Sequence, residues 1–214
     1  MARRNRVTPF GEIVATPARG LLMGNRGCLH DGDGRLGRAR WRTTAWIACR
    51  TAFRGRRRTL MQPGRYTELF FLDEATAFAA GHRPCAECRR ADYRRFADAW
   101  RRAHGLAQDE PLAAPAIDAA LHAARIDPLT RAQARTPSRL GDVPAGSMVA
   151  RRTEPGAAYL VFDGALRRWS HAGYGAPLAG DPDEIVTTLT PAPVRAAVAH
   201  GYAPALHASA SEPY

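Results

Sequence analysis

Residues 66–88 read Tyr66-Thr67-Glu68-Leu69-Phe70-Phe71-Leu72-Asp73-Glu74-Ala75-Thr76-Ala77-Phe78-Ala79-Ala80-Gly81-His82-Arg83-Pro84-Cys85-Ala86-Glu87-Cys88. The run over 66–72 is aromatic and apolar and predicts a strand. Asp73 can accept from the first free N–H groups of a short helix over 74–80. Gly81 stands where that helix must turn left-handed to stop. A longer helix is expected from about Cys85 to His104, because Tyr93, Phe96, Ala97 and Trp100 recur at the spacing of one buried stripe, and Gly105 closes it.

Working outward, residues 1–27 are rich in Arg, Gly and Pro without a sustained period; they predict a basic extended arm with a short strand near 12–14. All four cysteines fall in 28–105, read as a metal-binding N-terminal domain of short strands and helices. Pro111 and Pro115 interrupt 106–115, read as a linker. Residues 116–214 predict a second unit of short antiparallel strands and two helices. Its first helix, 116–126, is stopped by Asp127-Pro128, and 129–144 looks irregular. The period then changes to two, with strands over 147–151, 157–162, 165–169 and 184–189. Asp163-Gly164 is a type I′ hairpin signal, and Thr190 is expected to cap a last helix over 191–200, closed by Gly201. The fold class is α+β.

The net charge of +11 is unevenly placed. Residues 1–60 hold 14 Arg against Glu12, Asp31 and Asp33; residues 61–105 hold 8 Arg against 6 acids, and 106–214 hold 9 against 11. The whole excess sits in the first sixty residues, and such a local excess attracts polyanions by releasing their counterions. DNA is the expected partner, with RNA also open. No apolar run approaches the ~18 residues of a membrane span, and the basic start lacks an apolar signal core, so a cytoplasmic location is expected.

Cys85-Ala86-Glu87-Cys88 has the two-residue gap of a zinc knuckle, whose turn aims both thiolates at one ion. Cys28 and Cys49 can supply the remaining ligands, giving zinc held by Cys28, Cys49, Cys85 and Cys88. The alternatives are a thioredoxin-like redox pair, buried unliganded thiols, and a mixed site in which His30 or His82 replaces one cysteine.

The segment from Phe70 to Arg89 resembles the second half of the Ada-type metal-binding domain, the methylphosphotriester repair module: two aromatics, an acidic-alanine helix, then Ala-Gly-aromatic-Arg-Pro-Cys-x-x-Cys-Arg. Arg42-Thr43-Thr44-Ala45-Trp46-Ile47-Ala48-Cys49-Arg50 is similar to that family's Thr-Thr-Gly-Ile-aromatic-Cys-Arg. The resemblance covers roughly 31–95 and implies a four-cysteine zinc site, contact with the DNA backbone, and methyl transfer from a phosphotriester to Cys49. Cys85 and Cys88 match the paired ligands. The family has a further cysteine four residues after the acceptor, where this chain has Phe53, so Cys28 would have to replace it. A zinc-bound thiolate stays deprotonated at neutral pH and can attack an alkyl carbon without a general base.

Among other candidates, Arg50, Arg54, Arg56, Arg57 and Arg58 form a cluster suited to gripping phosphates, Gly55 letting the backbone come close. Asp118 and His122, one helical turn apart with Arg125 beside them, could form an acid–base pair. Two further functions therefore stand beside DNA damage recognition or repair. One is a nucleic-acid-processing enzyme, of nuclease or glycosylase type, using Asp118 and His122 with a structural zinc. The other is a non-enzymatic zinc adaptor binding protein or RNA.

Overall fold

The short helix that follows the 66–72 run organises the molecule. The computed structural model describes residues 2–55 and 59–211. In it α1 (Glu74–Ala79) is capped by Asp73, whose carboxylate accepts from the Thr76 N–H at 2.9 Å, and Gly81 follows at φ +82. All six of its residues are buried. A helix buried on every side must be small-sided, and its alanines allow this. Ala77 faces one sheet, with Ala80 just after the helix; Ala75 and Ala79 face the other, and Phe78 enters a helical core.

The first sheet contains β1 (Arg4–Val7), β2 (Ile13–Ala15), β3 (Leu22–Asn25), β4 (Ile47–Arg50), β5 (Leu69–Phe71) and β6 (Arg83–Pro84), in the order β2-β1-β5-β3-β4-β6. β1 runs parallel to β5 and β4 parallel to β6; β3 is antiparallel to both its neighbours. Residues 1–27 were expected to be an arm, but β1, β2 and β3 lie inside this sheet. Their Arg, Asn and Gly residues carry no alternating apolar signal, because Arg4 and Arg6 reach along the sheet to the carbonyls of Ile13 and Ala18.

After the first sheet come α2 (Arg90–His104) and α3 (Ala114–Arg125). The second sheet is antiparallel and contains β7 (Thr136–Arg139), β8 (Met148–Arg151), β9 (Glu154–Phe162), β10 (Ala165–Ser170), β11 (Gly173–Leu178) and β12 (Ile185–Thr188), in the order β11-β10-β9-β8-β12-β7. Asp163 (φ 50) and Gly164 (φ 70) make the hairpin between β9 and β10, both left-handed as a type I′ turn requires. The last helix is α4 (Ala192–Ala199). Thr190 does not cap it; its hydroxyl accepts from the Met148 N–H at 2.9 Å and ties the helix entrance to β8.

The expected linker at 106–115 separates two sheets, yet the halves share their cores. Phe78, Phe96 and Trp100 pack with Ile117, Leu121, Val194, Val198 and Tyr202 in one cluster. The buried carboxylates of Asp73 and Glu74 bind the chain's far end: Asp73 accepts from the Tyr174 hydroxyl at 2.7 Å, and Glu74 accepts from Tyr202 at 2.9 Å. Glu74 also pairs with buried Arg89 at 2.8 Å. No helix among the described residues is long and apolar enough to cross a membrane.

Candidate metal centre

Cys49 lies on β4, and β6 runs beside it in register, Ile47 opposite Arg83 and Ala48 opposite Pro84. The Cys85 N–H continues the ladder onto the Ala48 carbonyl at 3.0 Å, which brings the start of the knuckle level with Cys49. Residues 85–89 make the turn that leads into α2, so the helix begins at Arg90 rather than at Cys85. The turn is held at both ends. Arg83 grips Asp118 through two bonds of 2.9 and 2.7 Å, and Arg89 holds Glu74 and Asp92.

The result is one group of sulfurs. The ligand atoms of Cys49, Cys85 and Cys88 all lie within 4.8 Å of one another, the only such group of metal-ligating side chains among the described residues. A tetrahedral zinc site with Zn–S bonds near 2.3 Å needs its sulfurs about 3.8 Å apart, so a contraction of about 1 Å or less suffices. The donor set is uniformly soft, which suits zinc over magnesium or calcium. Backbone N–H groups support the sulfurs: Glu87 N–H points at Cys85 Sγ and Arg50 N–H at Cys88 Sγ, each at 3.4 Å. Such donors favour the charged form of a thiol. The hydrogen bond from Cys49 brings the Cys85 thiol down to about 5, and the same contact, with burial behind it, pushes Cys49 up. Cys88 is raised, chiefly by burial.

Cys28 was expected as a fourth ligand, and the structure does not bring it in. β3 pairs Met23 with Cys49, and Cys28 follows five residues later, past the left-handed turn at Gly27 (φ +92). Its thiol instead approaches the His30 carbonyl at 3.5 Å. The histidines considered as substitutes are also elsewhere. His30 bonds the Thr67 hydroxyl at 2.6 Å and the Gln62 carbonyl at 3.1 Å. His82 is fully buried between Phe71 and Trp46, ring centroids 4.5 and 5.3 Å away.

The sulfurs line a pocket of about 270 Å³. Met23, Ile47, Phe53, Leu60 and Phe70 give it apolar walls, and Arg50, Tyr66, Glu68 and Glu87 add polar groups. Phe53, where the Ada-type pattern has a cysteine, is one of these walls. Glu68 is committed to the Met61 N–H at 2.7 Å. Arg50 and Arg54 are exposed, Arg54 lying 5.0 Å from the Phe53 ring; Arg56, Arg57 and Arg58 lie outside the described residues.

The proposed acid–base pair takes another form. Asp118 is 4% exposed and turns both oxygens to Arg83. His122 accepts from Arg125 at 3.1 Å and packs edge-on against Trp41, and burial lowers its pKa. Each is engaged with a different arginine. Arg83 and Arg89, the anchors of the knuckle, flank it in the Arg-Pro-Cys-x-x-Cys-Arg run, but nothing local marks their carboxylate partners Asp118 and Glu74. Comparison with protein-family models, with curated proteins and with solved structures finds no match for this chain.

Proposed function

We propose that the chain is a zinc-thiolate protein acting on nucleic acid, in which Cys49 is a sulfur nucleophile that takes up an alkyl group. The observation that carries this reading is the set of three sulfurs, with no fourth ligating side chain grouped with them among the described residues, on the wall of an open pocket. A structural zinc site is closed by four protein ligands, whereas three ligands beside an open position make a reactive one. The likeness of the Thr43–Arg50 segment to the Ada-type acceptor supports Cys49 as the nucleophile, while the four-cysteine site that the same resemblance implies differs from the three sulfurs grouped here.

Cys49, Cys85 and Cys88 would hold the ion. When bound, zinc keeps such sulfurs deprotonated at neutral pH, so no base is needed. Cys49 is the less enclosed of the group, Cys85 and Cys88 being buried. Its sulfur attacks the alkyl carbon of a phosphotriester; the S–C bond forms as the C–O bond breaks, and the electron pair leaves on the phosphate oxygen. The triester becomes a diester, Cys49 becomes a thioether, and no oxidant takes part. The apolar walls suit a small alkyl group. The phosphorus centre of a triester carries no formal charge, so the carboxylate of Glu87 does not repel it as it would a diester. Arg50 on the pocket's lining and the exposed Arg54, over the Phe53 ring, offer forks to neighbouring phosphates.

The test is incubation of the zinc-loaded protein with duplex DNA carrying methylphosphotriesters. The peptide containing Cys49 should gain the mass of one methyl, once and stoichiometrically, and Cys49→Ser should abolish the gain. An unmodified peptide from protein that holds zinc and binds the duplex would refute the reading.

A further inference from the structure

Strand alternation sends Ile47 and Cys49 to the metal pocket and Trp46 and Ala48 to the other face of the first sheet. On that face two guanidiniums are buried, Arg26 (3% exposed) and Arg125 (1% exposed). They lie against Trp46, 4.3 and 3.8 Å from its ring. Neither makes an ion pair among the described residues. Arg26 donates to the carbonyls of Gly11 and Ala80; Arg125 donates to those of Gly81 and Thr44 and to His122. The Nε–H of each is buried without a partner among the described residues. The nearby carboxylate, Asp118, spends both oxygens on Arg83.

Interior cations without a counter-charge are costly. Burial, together with the neighbouring Arg40, brings Arg26 down to about 9; burial, with Arg26 close by, does the same to Arg125. Both line a chamber of about 30 Å³ that Arg40, Trp41, Arg131 and Gln133 complete. The chamber shares Phe10, Gly11, Arg26, Arg40 and Gln133 with a cleft of about 680 Å³, to which Arg4, Arg38 and Arg135 contribute, and whose one carboxylate is Glu12. Neither space shares a lining residue with the metal pocket.

We propose that this cleft is a phosphate site, in which the terminal phosphate of a nucleotide or a nucleic-acid strand enters between Arg26, Arg125, Arg40 and Arg131. A water needs ~10–15 Å³ of such volume, so the chamber admits the oxygens of a phosphoryl group while the body of the ligand stays in the cleft. Base stacking on Trp46 is blocked, since its ring carries Arg26 and Arg125. Trp41 carries Arg131 at 4.6 Å. Recognition therefore falls to the oxyanion, through charge-assisted bonds.

The experiment measures fluorescence anisotropy of a labelled single strand with and without a 5′-phosphate, with orthophosphate and a nucleoside monophosphate as competitors. The phosphorylated strand should bind at least about tenfold tighter, the effect of one or more charge-assisted bonds. Orthophosphate should erase that advantage in the wild-type protein. A monophosphate that competes at the strand's own affinity assigns the site to a nucleotide; weaker competition assigns it to a strand end. Replacing the exposed Arg40 and Arg131 together with Ala should remove the discrimination without lowering the melting temperature, and Cys49→Ser should leave it intact. Equal binding of the two strands, or discrimination surviving in the arginine variant or in saturating orthophosphate, would overturn the proposal.

Discussion

Replacing Asp118 with Ala is expected to cost about 3–5 kcal/mol of stability, the loss that follows when one partner of a buried ion pair is removed. The side chains of Arg83 and Asp118 are 5% and 6% exposed, and two bonds, of 2.9 and 2.7 Å, join them. Removing the carboxylate strands Arg83 in an interior that already holds Arg26 and Arg125, and it takes from Arg125 the opposing charge of Asp118. For a chain of this size each kcal/mol shifts the melting temperature by about 2–4 °C, so the midpoint should fall by about 6–20 °C. Thermal melts followed by circular dichroism, at fixed protein and zinc concentrations, measure it. The double replacement Arg83→Met with Asp118→Leu should recover most of the loss, because no interior charge is then left alone. A fall of less than about 3 °C in the single variant would mean that water reaches the pair, and would refute the reasoning. Loss of activity from an Asp118→Ala protein still folded at the assay temperature would instead support a chemical role for this carboxylate.

His82 sits between Phe71 and Trp46 with neither ring nitrogen in a well-formed hydrogen bond among the described residues, and burial holds its pKa well below 6.5. The unfolded chain then takes up a proton that the folded chain refuses, so stability should fall as pH drops below about 6.5, by at most ~1.4 kcal/mol per pH unit from this residue. His82→Phe should flatten that acid limb in urea titrations at several pH values; an unchanged limb would contradict the assignment. Cys28→Ser should keep the wild-type zinc content by metal analysis, whereas Cys85→Ser should lose the metal and stability with it. Arg50→Ala and Arg54→Ala should each reduce the salt slope of DNA binding by about 0.9 if the residue meets a phosphate.

The parts legible in the sequence are those specified over a few neighbouring residues. Asp73 and Gly81 delimit α1, Gly105 ends α2, and Asp163-Gly164 turns the β9–β10 hairpin, because each acts within its own turn. The pairing of Cys85 with Cys88 belongs to the same class. What could not be read depends on register and distance. β1, β3 and the two-residue β6 are strands because neighbours supply their ladders, not because their own residues alternate. Cys49 stands in a motif and Cys28 does not, but only the β3–β4 register shows that Cys28 falls outside the sulfur group. Asp118 and His122 do occupy one helix as their spacing implied, yet Arg83, 35 residues upstream of Asp118, decides what the carboxylate does.

X-ray absorption at the zinc edge of the purified protein tests the central claim most directly. One zinc per chain should be bound by three sulfurs at about 2.3 Å and one oxygen or nitrogen at about 2.0 Å. A shell of four sulfurs, or a protein that retains no zinc after purification, would contradict a three-cysteine centre with an open position.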